Sequence, residues 1–148
     1  MDKGVEVVTD AYGNKAVKVD YIDPTTGELS KANIPYDSTG LAIFDDVAKY
    51  ITTITKPEGY EMMTDAARRT AEMKQATLDL KDAINSGKVN ANQFTAQQLY
   101  DIQSGSDRIF GYTWHHNAQS APNNMQLVPY DIHKEVTHIG EASLSKGK

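Results

Sequence analysis

The spacing of apolar residues changes partway along this chain, and that change limits the folds open to it. From Val5 to Ile34 the pattern is one of strands: Val5–Val8, then Ala16–Tyr21 across the turn-rich segment 10–14, then Leu29–Ile34 after Asp23-Pro24-Thr25-Thr26-Gly27. Two successive hairpins, an N-terminal meander, are expected. From Thr64 the spacing becomes helical, with Met73, Ala76, Thr77, Leu80 and Ile84 on one face and a stop at Gly87. A second helix carries a full start signal: Thr95 as N-cap, Gln98 completing a capping box, and Phe94 and Leu99 at the staple positions, with an end near Gly105. Between these regions, 35–40 reads as a loop, 41–44 and 47–54 are apolar but too short to assign, and Pro57-Glu58-Gly59 breaks the chain. Strands followed by helices in separate stretches imply an α+β fold.

Composition narrows the class. The chain has 148 residues, one domain's worth, with 39% hydrophobic residues and no cysteine. Disulfides and thiolate metal sites are therefore excluded, in keeping with a reducing compartment. No apolar run reaches the length of a membrane span, and the start, Met1-Asp2-Lys3-Gly4-Val5-Glu6, lacks the apolar stretch of a signal peptide, so a soluble protein is expected. The net charge of −5 gives no global attraction to nucleic acid. The acidic excess lies before residue 111; residues 111–148 hold three acidic and three basic groups. The pair Arg68-Arg69, with Lys74 and Lys81, has two readings: a basic groove for nucleic acid, or the solvated face of an amphipathic helix. Interleaving with Asp65, Glu72, Asp79 and Asp82 favours the solvated face, and no chemistry is assigned there.

The histidines are the strongest functional signal. All four, His115, His116, His133 and His138, fall within 24 residues, beside the only tryptophan, Trp114. Ile109–His116 reads as a strand, 117–124 as a loop, and Met125–Val128 as a second strand broken by Pro129. Asp131 is placed to N-cap a short helix closing at Gly140. Such a strand–loop–strand–helix unit sets a histidine pair opposite histidines on the following helix. Neutral imidazole is a good ligand for zinc and related ions, and three histidines with one open position form a catalytic rather than a structural layout. Neighbours on a strand face opposite ways, so His115 and His116 should do different jobs, one binding metal and one taking a proton.

These residues resemble the HNH/endonuclease VII superfamily, in particular its WHH toxin-nuclease branch. The resemblance rests on Trp114-His115-His116, Met125-Gln126-Leu127-Val128-Pro129, His133 and His138-Ile139-Gly140, within residues 112–140. Residues 1–110 resemble the variable region that precedes such nucleases in C-terminal toxin domains of polymorphic and contact-dependent inhibition systems. The resemblance implies a strand/helix region over 1–110 and a ββα-metal finger over 111–148, together one unit. It implies His115, His133 and His138 as metal ligands, His116 as the general base, and Asn124 as the residue that orients the histidine loop. It further implies one divalent ion: zinc as the bound metal, with magnesium, manganese or nickel as ions for turnover. A DNA substrate, a cognate immunity protein, and delivery of the domain by a larger secreted toxin to the target-cell cytoplasm complete the expectation.

Several residues keep plainer alternatives. His133 and His138 are five apart, ~140° around a regular helix, so both cannot face one ion unless the helix ends before His138. Asn124 is equally an ordinary turn residue, and Gln126 is expected as a surface strand residue. Trp114 is expected as core behind the pair, and the tail lysines Lys146 and Lys148 as solvated or touching phosphate. The neutral finger implies weak non-specific affinity and low sequence specificity. An RNase of the same finger type and a non-catalytic zinc-stabilised binding module remain as rival functions.

Overall fold

A computed structural model describes residues 6–9, 13, 15–36, 42–55, 59–116 and 124–136. Its first layer is the expected meander of β1 (Glu6–Thr9), β2 (Lys15–Ile22) and β3 (Leu29–Pro35), antiparallel in that order. Val17 stands opposite Ile34 and Val19 opposite Ala32, so one face of the sheet is continuously apolar while Lys15, Lys18 and Lys31 point to solvent. The turn between β2 and β3 is closed by Asp23, whose Oδ1 accepts from the amides of Thr25 and Thr26 at 2.8 and 3.0 Å.

Two helices follow a short strand. β4 (Tyr50–Thr53) lies in the segment too short to assign from sequence, and it pairs with a strand seventy residues later. α1 (Asp65–Asn85) starts at Thr64, whose side chain accepts from the Ala67 amide at 3.1 Å, and ends at Ser86, before Gly87 at φ +87°. Ala76, Thr77 and Leu80 are buried as the spacing requires, while Met73 and Ile84 pack at the margin. Glu72, expected on the solvated face, is instead buried, because it stands one turn before Ala76 and two before Leu80 on the buried stripe of α1. α2 (Ala96–Gln103) carries the predicted capping box: Thr95 Oγ1 accepts from the Gln98 amide, and Gln98 Oε1 accepts from the Thr95 amide.

The chain closes with β5 (Tyr112–His116), β6 (Asn124–Pro129) and α3 (130–136), the expected ββα order. The fold is thus α+β, with two small antiparallel sheets. The second sheet has the order β4-β6-β5, which puts β6 in the middle. Three boundaries differ from the sequence reading. β5 begins at Tyr112 rather than Ile109, because 109–111 form a turn with Gly111 at φ +80°. Asp131 is inside the first turn of α3 rather than its N-cap, where its charge still complements the helix dipole. Pro129 is the last residue of β6 rather than a break after Val128. The expected helix end at Gly140 lies outside the described residues.

Two apolar cores lie on opposite sides of the β5–β6 ribbon. One gathers Ala76, Leu80, Ile102, Trp114, Met125 and Leu127; the other gathers Val17, Val19, Ile34, Phe44, Val128, Ile132 and Val136. With both faces covered, β6 is buried along nearly its whole length instead of alternating. Gln126 is therefore buried, at 1% exposure, and not the surface residue expected from the sequence. Tyr36 adds a polar tie, its hydroxyl donating to the carbonyl of Val136 at 3.0 Å.

Candidate functional site

The ribbon sets the position of the first histidine. In the β5–β6 register His115 stands opposite Gln126, and Trp114 opposite Leu127. Trp114 enters the first core at 3% exposure, as expected, and its indole N–H donates to Thr77 Oγ1 at 2.9 Å. Alternation along the strand therefore sends His115 to the other side, where Phe44 and α3 wait.

There it meets His133. His115 Nδ1 and His133 Nε2 are 3.2 Å apart, although 18 residues separate them in sequence. Phe44 braces both rings, edge-on to His115 at 4.7 Å between centroids and tilted on His133 at 5.3 Å. A contact this short between two ring nitrogens needs at least one neutral imidazole, since two imidazolium ions have only donors to offer. Burial pushes the pKa of His133 down, which favours its neutral form.

Convergent imidazoles in their neutral form are the donor set that a borderline-soft divalent ion requires. Two nitrogens bound ~2.0–2.1 Å from one tetrahedral zinc lie ~3.3–3.4 Å apart, close to the separation seen here. Among the described residues no group of three histidines or carboxylates is arranged to hold a metal. Of the other two expected residues, His116 ends β5 opposite Met125, with a side chain that is not described, and His138 lies outside the described residues.

Asn124 opens β6, paired with Thr53 of β4, and its buried side-chain oxygen has no hydrogen-bond partner among the described residues. The adjoining segment 117–123 lies outside the described residues. Gln126 is held from one side only: its Nε2 donates to Asp45 Oδ1 at 2.7 Å, while Oε1 is buried and unpartnered.

A cavity of about 370 Å³ opens beside the histidine pair, lined by Arg69, Met73, Thr113, Trp114, His115, Met125 and His133. Two residues around the histidine pair carry new information. Phe44, which braces both rings, and Arg69, on the cavity wall, were assigned no part in the site by the sequence. Phe44 lay in an apolar run too short to assign. Arg69 lay in a pattern of mixed charges with nothing to show which of the two arginines faces the finger.

Comparison with known proteins agrees with this architecture. Searches among curated proteins and among solved structures gave no match. The profile of one family, the DNase/tRNase domain of colicin-like bacteriocins, matches residues 34–140, a span that holds β4, both long helices and the whole ββα unit. The chain belongs to this colicin-type DNase/tRNase family and is a nuclease toxin domain, with nucleic acid as its substrate.

Proposed function

We propose that this domain is a metal-dependent endonuclease of the WHH type that hydrolyses phosphodiester bonds in DNA with low sequence specificity. The observation that carries the reading is the convergence of His115 and His133 at 3.2 Å beneath Phe44, beside an open cavity. His115 and His133 would hold the ion, with His138 as a further ligand, and a divalent ion there would supply Lewis-acid stabilisation of the charge that grows on the phosphate and the departing oxygen.

His116 is the general base. Its imidazole removes a proton from a water molecule, whose oxygen attacks phosphorus as the P–O bond to the leaving nucleotide breaks. Asn124 is the residue that orients the loop carrying the histidine pair. In a producing cell such an activity calls for a cognate immunity protein, and delivery as part of a larger toxin places the substrate in the target cell.

The test is a side-by-side digestion of supercoiled plasmid and of tRNA by the purified protein, with and without EDTA, repeated with His116→Ala. Plasmid nicking that disappears with EDTA and with the substitution supports the reading. Cleavage of tRNA alone moves the substrate to RNA, the other half of the family's description. No cleavage of either would leave a non-catalytic module in its place.

A further inference from the structure

The finger has no net charge to offer a polyanion, since its three basic groups are offset by three acidic ones in residues 111–148. A nuclease site needs cationic or hydrogen-bonding groups at the phosphate, where charge-assisted contacts are strongest. Among the described residues one arginine lines the cavity beside the histidines, and it comes from α1.

Arg68 and Arg69 are adjacent, but the fold separates their roles. Arg68 is half-buried and turned along its own helix: its guanidinium lies 3.7 Å from Asp65 Oδ1 and donates to the Glu61 carbonyl at 3.3 Å. Arg69 is exposed, and its side chain makes no hydrogen bond or ion pair among the described residues. Its side chain forms one wall of the cavity whose other walls include His115, His133 and Thr113. Among the described residues no carboxylate lines that cavity. The cavity that Arg69 lines together with the two imidazoles, about 370 Å³, has room for a phosphodiester group. The planar fork of arginine matches two non-bridging phosphate oxygens at once, which the point charge of lysine does not.

We infer that Arg69 is the phosphate-holding residue of this site, gripping the phosphodiester that His115 and His133 face. Thr113, two residues before His115 on the same face of β5, adds a hydroxyl to the same wall. The inference rests on the nuclease reading of the histidine pair but assigns binding to a residue outside the finger. A neutral finger therefore does not imply weak binding of substrate, because Arg69 of α1 brings a cation to the cavity.

The experiment measures binding without chemistry. The full chain in EDTA is titrated against a dye-labelled 20-base-pair duplex and a dye-labelled tRNA, by fluorescence anisotropy over a range of salt. Arg69→Gln should weaken binding about tenfold and flatten the duplex salt slope, log K against log salt, by about 0.9. Arg69→Lys should restore the slope but only part of the affinity. Arg68→Gln should match wild type. Glutamine and lysine keep helix propensity close to that of arginine, so the folded state is expected to survive, as a melting curve will verify. If Arg69→Gln binds with wild-type affinity and slope, the inference is overturned even where the protein cleaves. A wild-type chain that neither binds nor cleaves either nucleic acid overturns the nuclease reading and this inference together.

Discussion

The indole N–H of Trp114 donates to the hydroxyl of Thr77 at 2.9 Å, with both residues buried. That bond ties the strand bearing the histidine pair to the middle of α1. Thr77→Val keeps the volume but removes the acceptor and leaves the indole N–H unsatisfied in the core. A loss of about 1–3 kcal/mol is expected, read as a lower urea midpoint at an unchanged slope. Thr77→Ser, which keeps the hydroxyl, should recover much of it.

Metal binding should follow the histidine geometry. With zinc at a hundredfold excess over its Kd, the wild-type chain should gain about 2.7 kcal/mol of stability, visible as a higher melting temperature. His115→Ala or His133→Ala should abolish most of that gain. His116→Ala should retain it while losing cleavage, which separates ligand from base. A gain that survives loss of both His115 and His133 would sink the assignment.

Acid should destabilise the metal-free fold through His133. Burial lowers its pKa in the folded state, so below the ordinary histidine value near 6.5 the unfolded chain binds the proton more readily. Stability from this group is complete above that value and falls as the pH drops toward the depressed folded pKa. Melting temperatures in EDTA at pH 7.5 and 5.5 should therefore differ more for wild type than for His133→Gln. Equal differences in the two proteins would refute the effect.

Gly111 and Gly87 make a matched pair. Both have positive φ, +80° and +87°, but a Cβ at Gly111 would lie 2.5 Å from Pro24 Cβ, whereas one at Gly87 meets nothing within 4 Å. Gly87→Ala should cost about 1–2 kcal/mol for the left-handed backbone alone. Gly111→Ala should cost about 1–3 kcal/mol more, because the 23–27 turn must move off the start of β5. Urea unfolding of the two variants checks the difference.

Much of the scaffold was legible because its signals are local. The capping box at Thr95 and Gln98, the turn at Asp23–Gly27 and the stop at Gly87 each work within a few residues, and each appears in the structure. Trp114 as core was equally readable. What could not be read depends on partners distant in sequence. The four residues of β4 acquire meaning only from pairing with β6. Gln126 is buried because a second core closes over its face of the sheet, a condition its own alternation pattern cannot announce. The meeting of His115 with His133 followed from the motif, but Phe44 and Arg69 arrive from 71 and 46 residues before His115.

The second core has a consequence for the extent of the working unit. Val128, Ile132 and Val136, which seat α3 and thereby His133, are covered by Val17, Val19 and Ala32 of the meander. The family match begins at Ile34, near the end of β3. A chain cut back to that point would keep every residue of the histidine motif yet expose the apolar side of the helix that aims one of them. Kinship therefore marks out less than mechanics requires: the lineage is written in the finger and its helices, while the rigidity that aims His133 comes partly from strands outside the match.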